Sequence, residues 1–199
     1  MAKAKKLPST FLNMVLVMTI VAAVSALALG FTYTATKEAR EMVEVKRTLR
    51  GIQTVMPGFD NEPDKEKFVV EGYEGLEFYP AKKGEEVLGT AVKTFSDKGF
   101  TGDIWIMVGF DKDKKIKNIS VLKHAETPGL GSKMSDAKFK DQFNGKDPAV
   151  FKVVVKKDGG NVDAITAATI SSRAFCDAVS KAYDALKKNE SEVNNESVE

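Results

Sequence analysis

Residues 103–123 read DIWIMVGFDKDKKIKNISVLK, two runs rich in Val, Ile and aromatic residues separated by the charged tetrapeptide Asp111-Lys112-Asp113-Lys114. Strand runs at 103–110 and 115–123 with a short polar break between them predict an antiparallel hairpin. Ile104-Trp105-Ile106-Met107-Val108 is apolar at consecutive positions, so both faces of that strand meet other parts of the protein and it lies inside its sheet. Working outward, 68–71, 86–95 and 150–156 carry the same strand composition. In the last of these Phe151, Val153 and Val155 alternate with Lys152, Val154 and Lys156, as in a strand with one face on a core. Two helical patterns flank the strands. Residues 37–55 place Met42, Val45, Leu49, Ile52 and Val55 near one face before Met56-Pro57-Gly58 stops them, and 172–188 place Phe175, Val179, Ala182 and Leu186 on one stripe. The expected fold class is α+β, a mostly antiparallel sheet with a few helices.

Composition narrows the chemistry. The chain has 199 residues, with 30 Lys plus Arg against 28 Asp plus Glu, a net charge of +2. That balance supplies no phosphate-tracking field, so nucleic acid is not an expected partner. One Cys (Cys176) and one His (His124) exclude a Cys-rich zinc site, a Cys-ligated iron–sulfur cluster, a CxxCH haem attachment and an internal disulfide. No Ser/His/Asp or Cys/His set for hydrolysis stands out, and no metal site or catalytic acid–base residue is expected. Redox chemistry on this chain would need an organic cofactor.

Residues 11–31 contain no charged side chain, and as a helix they would span about 30 Å, the thickness of a bilayer's hydrocarbon core. Lys3, Lys5 and Lys6 precede this run, while Lys37, Glu38, Arg40 and Glu41 after it nearly cancel. The positive-inside rule then gives a single-pass anchor in the cell (inner) membrane, with a cytoplasmic N-terminus (1–10), a transmembrane helix (11–31) and everything later extracytoplasmic. A cleaved signal peptide is the alternative, since Ala26-Leu27-Ala28 is an acceptable small-x-small site. Either way the domain is exported. Residues 32–66 read as a helical stalk and loop, 67–188 as one folded domain, and 189–199 (NESEVNNESVE) as a disordered acidic tail too polar to order itself.

Two stretches carry more chemistry than a fold requires. DAITAATISS, residues 163–172, crowds hydroxyls at 166, 169, 171 and 172 around small residues at the start of a helix. Such a start suits a phosphate, but on spacing alone an elaborate N-cap, where Ser and Thr are ordinary, is the favoured reading. HAETPGLGSK, residues 124–133, follows a strand, and its Gly129 and Gly131 permit close approach of a planar ligand. A rigid surface turn is its bland reading; it is neither a P-loop nor G-x-G-x-x-G.

Residues 163–175, DAITAATISSRAF, resemble the flavinylation motif D-x-x-[ST]-G-A-T-x-[ST] of membrane-anchored FMN-binding subunits, and HAETPGLG resembles their second signature, H-x-E-T-P-G-L-G. Both occur in family order, about thirty residues apart, after a strand pair that also resembles the family, so that the likeness covers roughly 86–186 plus the anchor. By length the chain is similar to the G subunit of the Rnf ion-translocating ferredoxin:NAD oxidoreductase complex. A related family, the C subunit of the sodium-pumping NADH:quinone reductase, is normally longer.

The resemblance implies FMN held covalently by a phosphoester to the side-chain oxygen of Thr169, installed by a separate flavin transferase. It places Thr166, Ala167 and Ala168 in the turn presenting that residue, Ser171 beside it, and Asp163 as a feature the transferase reads. Glu126, Thr127, Gly129 and Leu130 would lie against the flavin. It implies a subunit that relays electrons in ferredoxin:NAD oxidoreduction, not an enzyme on its own, assembled with other membrane and iron–sulfur subunits. One departure is that Ala167 stands where the family has Gly. His124 reads as a structural hydrogen-bonding group, with catalysis the alternative. Trp105 reads as core before flavin stacker, and Cys176 as packed. The competing functions are the C subunit of a sodium-translocating NADH:quinone reductase and a non-catalytic anchored binding or assembly module.

Overall fold

The computed structural model describes Pro8 and residues 10–196, with side chains as far as Ser191. The expected N-terminal segment with Lys3, Lys5 and Lys6 therefore lies outside the described residues, as do 197–199. The chain divides into two compact units, one up to Val45 and one from Lys46 onward.

The first unit is helical. Helix α1 runs Phe11–Val55, and its apolar window has a mean hydropathy of 2.5 with none of it buried, so it is long and apolar enough to cross a membrane. Sequence patterning places a boundary between the span and a stalk helix near Phe31, yet the helix continues unbroken. No Gly or Pro occurs from 31 to 50, and Thr32, Thr34 and Thr36 donate their hydroxyls to carbonyls four residues back, at 2.7, 3.1 and 2.7 Å. Those side chains satisfy themselves inside the helix instead of opening it.

The second unit is built on a four-stranded antiparallel sheet in the order β1 (Glu77–Lys83), β2 (Glu86–Ser96), β3 (Ile104–Asp111) and β4 (Ile116–Lys123). As 103–123 predicts, β3 and β4 form a hairpin, and β3 is an interior strand paired on both sides. Ile104, Ile106, Val108 and Phe110 face helix α3 (Thr169–Glu196), where Phe175, Val179, Ala182 and Leu186 are buried as their stripe predicts; a single turn, α2 (Ala137–Lys140), precedes it. The small side chains of Ala174, Ala178 and Ala182 bring α3 close enough for the Thr94 hydroxyl to donate to the Ala178 carbonyl at 3.0 Å. The opposite face carries Tyr79, Ala91 and Met107 against Ile52, Val55 and Met56. Each such fully buried large side chain contributes about 1.5–3 kcal/mol. Both faces of β3 are thus covered, which is why its sequence does not alternate.

Four elements differ from the sequence pattern. Strand β1 lies outside the expected set because EFYPAKK mixes charges with Pro80, and a proline is tolerated there only because β1 is an edge strand. The strand expected at 68–71 is a single bridge from Phe68 to Phe78, their rings stacked at 5.1 Å, because the chain turns back between Val70 and Tyr73. The strand expected at 150–156 forms no ladder. Its burial alternates as expected, with Val153 and Val155 inside, but the Asn161 side chain accepts the Lys152 amide at 2.7 Å and the only pairing is the Val155–Val162 bridge. At the C-terminus α3 continues to Glu196, eight residues into the stretch whose polarity predicts disorder. A helix already nucleated and packed propagates at little cost per residue, and an ion pair from Lys114 to Glu190 holds its outer face.

Glu77 on β1 collects Lys93 at 2.8 Å, Lys67 at 3.1 Å and the Tyr79 hydroxyl at 2.8 Å. Burial pushes its carboxyl upward, but donation by Lys93, Tyr79 and Lys67 outweighs this and holds it at about 2, below the ordinary 4.5. A depressed folded-state value means that the cluster stabilises the fold above about pH 4.5 and loses that effect as pH falls toward 2. Glu77→Gln is expected to flatten this acid limb, measured by urea denaturation across that window. An unaltered limb would refute the assignment.

Candidate functional site

The segment 163–172 folds as a tight turn feeding α3. The Ala168 amide donates to the Ile165 carbonyl at 3.0 Å, and Ala167, third in that turn, sits in the left-handed region at φ 61°. This is the position where the resembling motif has glycine, and an L-residue there carries a steric cost of about 1–2 kcal/mol. The turn is held in part by Ser172, whose hydroxyl accepts from the Ile165 amide at 2.9 Å and donates to the Ala168 carbonyl at 2.9 Å. Thr166 and Ala167 are exposed and Ala168 is buried beneath them. Ala167→Gly is expected to stabilise the domain by up to about 1 kcal/mol, since relief of strain exceeds the added chain entropy. Denaturant midpoints of the two proteins check this, and a destabilised glycine variant would contradict it.

Thr169 opens α3 half-buried, and among the described residues its hydroxyl has no hydrogen-bond partner. By helix geometry the amides of Thr169, Ile170 and Ser171 have no acceptor one turn back. Asp163, upstream, is exposed: its carboxylate pairs with Lys156 at 2.8 Å while its backbone is bracketed by the Gln142 amide at 2.7 and 3.2 Å.

The second motif packs directly against this turn. Glu126 is only 4% exposed, and its two carboxyl oxygens accept from the Ser171 hydroxyl at 2.5 Å and from the Thr101 amide at 3.1 Å. One buried carboxyl group therefore ties together three loops: that between β2 and β3, that after β4, and the start of α3. Gly131 completes the junction, because a β-carbon there would lie 2.5 Å from Ser171 Oγ and 2.6 Å from Glu126 Oε2. His124 Nδ1 accepts the Glu126 amide at 3.2 Å, a structural hydrogen bond. Gly129 adopts φ 76° and donates its amide to Ser132 Oγ at 2.9 Å, leaving Thr127, Gly129 and Leu130 on the surface.

The structure thus brings Ser171 and Glu126 into contact and keeps Thr127, Gly129 and Leu130 exposed nearby. Glu126 itself points inward. Trp105 lies on the sheet face away from Ile104 and Ile106, stacked on Phe95 at 4.7 Å with the Lys93 ammonium over it at 5.6 Å. Cys176 is 3% exposed and its thiol is pushed up to about 12 by burial and the charge of Asp158, which makes it inert.

Two neighbouring features extend beyond the motifs. A cleft of about 520 Å³ opens beside the turn, bordered by Lys133, Asp136, Lys138, Phe139 and Gln142 on one side and by Asp163, Ala164, Ile165 and Thr166 on the other. The loop 97–103 reaches α3 through Asp177, which accepts from Ser96 Oγ at 2.7 Å and from Lys98 at 2.6 Å. Paired glycines at 99 and 102 are the only sequence signal for that loop.

A sheet backed by one long helix, with an unpartnered threonine hydroxyl at that helix's start and a glycine-containing loop beside it, has the features of a cofactor-carrying domain. Residues 99–184 match the FMN-binding domain family. Across 190 residues the chain is 36% identical to the G subunit of the Na⁺-translocating ferredoxin:NAD⁺ oxidoreductase complex of Acetobacterium woodii, covering 87% of this chain and 91% of that protein. It is 32% identical over 187 residues to the G subunit of the ion-translocating oxidoreductase complex of Methanosarcina acetivorans, covering 89% and 95%. The crystal structure of the C subunit of the Na⁺-translocating NADH-quinone reductase of Parabacteroides distasonis shares the fold, with a TM-score of 0.54 at 20% identity over 76% of this chain and 92% of that one. The chain belongs to the family of G subunits of ion-translocating oxidoreductase complexes, and it carries that family's FMN-binding domain.

Proposed function

We propose that this chain is the membrane-anchored electron carrier of an Rnf-type complex, holding FMN through a phosphoester on Thr169 and working in ferredoxin:NAD oxidoreduction. The observation that carries the reading is the Thr169 hydroxyl, unpartnered among the described residues at the first turn of α3, beside amides without acceptors of their own. A phosphate esterified there would meet the positive end of a 28-residue helix. The turn 165–168 presents the hydroxyl, Ser172 keeps the turn closed, and Glu126 holds Ser171 and the neighbouring loops in place. Thr127, Gly129 and Leu130 offer a surface against which the ring could lie. Asp163 and Thr166, both exposed, remain accessible to a flavin transferase reading the motif.

Bound FMN would supply one- and two-electron exchange without release of a product. The chain's own part is to tether, orient and partly bury it. Donor and acceptor belong to other membrane and iron–sulfur subunits, and ion movement to polytopic ones, since one helix builds no pathway. Peptide mass spectrometry of the full chain expressed with a flavin transferase tests the attachment, expected on the peptide containing Thr169. The orientation, N-terminus cytoplasmic and FMN domain outside, is tested by Asp113→Cys on an exposed hairpin turn. With Cys176 inert, a membrane-impermeant maleimide should label that variant on intact spheroplasts; labelling only after lysis would reverse the topology.

A further inference from the structure

Phe100 is 65% exposed, the one exposed aromatic ring among the described residues of the second unit. It stands at the tip of the 97–103 loop, next to Thr101, whose amide is held by the same Glu126 carboxyl that accepts from Ser171. Two other large apolar side chains sit exposed at this junction: Leu130 at 40% on the second motif loop, and Ile170 at 46%, directly after Thr169. Each of the three tied segments thus carries an exposed apolar side chain on the residue just before its tie point: Phe100 before Thr101, Leu130 before Gly131 and Ile170 before Ser171. Exposed apolar groups gathered at one place mark a binding surface.

The loop beneath Phe100 is fixed, not adaptable. A β-carbon at Gly99 would lie 2.1 Å from the Gly102 carbonyl oxygen and 2.9 Å from Glu126 Oε1, so the backbone is folded tightly on the buried carboxyl. Asp177 anchors its N-terminal side to α3 through Ser96 and Lys98. Such anchoring orients a ring in advance of any ligand, which lowers the entropy lost on binding.

We propose that Phe100 stacks on the isoalloxazine ring of FMN carried on Thr169, with Leu130 and Ile170 walling its apolar edge. The proposal rests on the attachment argued above. The occupant is argued from position: the tether oxygen would lie on the residue before Ile170, and a ribityl chain attached there is long enough to let the ring reach the neighbouring loops. An aromatic face and two aliphatic groups suit a flat, largely apolar ring, and aromatic pairs favour offset stacking.

The test uses the full chain co-expressed with a flavin transferase, as wild type, Phe100→Trp, Phe100→Tyr and Val87→Trp. Val87 is 44% exposed at the far end of β2 and serves as the remote control. Indole and phenol quench flavin emission on contact, so the two Phe100 variants should lose emission severalfold relative to wild type while Val87→Trp does not. Mass spectrometry records the FMN adduct in each sample. Adducts present with emission equal to the control overturn the stacking and leave the attachment standing. No adduct on the wild type overturns the attachment and the stacking together. Hydrogen exchange supplies a readout without altering Phe100: amides 99–102 should exchange more slowly in flavinylated wild type than in Thr169→Ala, and equal rates overturn the proposal.

Discussion

Thr169→Ala, co-expressed with an active flavin transferase, should emerge colourless and without any FMN mass, while Thr166→Ala in the same host keeps the adduct. The contrast follows from the turn. Both residues carry a hydroxyl, but Thr166 stands exposed in the 165–168 turn, whereas Thr169 begins α3 where unpartnered amides cluster. Phosphate charge would meet unpaired helix amides at Thr169 and only water at Thr166. The substitution should leave the fold intact, because the Thr169 hydroxyl makes no hydrogen bond among the described residues and alanine is the better helix former. Thr169→Ser, which keeps the oxygen, should retain part of the adduct. FMN found on Ser171 or on the Thr169→Ala protein would assign the attachment elsewhere.

The second large effect concerns Glu126. Glu126→Ala should cost about 3 kcal/mol, because it opens a cavity and strips acceptors from the Ser171 hydroxyl and the Thr101 amide at once. Glu126→Gln should cost only about 1 kcal/mol: its carbonyl can accept from Thr101 while its amide donates to Ser171 Oγ. Urea denaturation of the three proteins gives both numbers. Equal, small losses would mean that the three loops are held by something other than this carboxyl group. If the loops do separate, FMN occupancy should fall in Glu126→Ala more than in Glu126→Gln.

The centre of the sheet was legible because burial on both faces leaves a continuous apolar run, as in 104–108, and a polar tetrapeptide sets the hairpin. The edges were less so. β1 is paired on one side along its length, so it tolerates Pro80 and charges that a central strand would reject. At 150–156 the alternation reported burial correctly and hydrogen bonding wrongly, since a side-chain acceptor at Asn161 replaced a strand partner. The candidate site was legible as two motifs, but their junction was not. Whether Glu126 faces a ligand or the interior depends on a hydroxyl 45 positions away, and no local pattern encodes that. Phe100 and the cleft residues 136–142 carry no chemistry visible until the chain brings them beside α3.

The last turns of α1 belong to the folded domain. Thr48, Gly51, Ile52 and Val55 are buried, and a β-carbon at Gly109 on β3 would come within 2.7 Å of the Val55 carbonyl oxygen. A water-soluble fragment meant for spectroscopy or crystallisation must therefore keep the chain from Lys46. Trimming at Pro57, where the polar loop invites a cut, would bare Tyr79, Ala91 and Met107 and yield a sticky half-sandwich in place of a flavin domain.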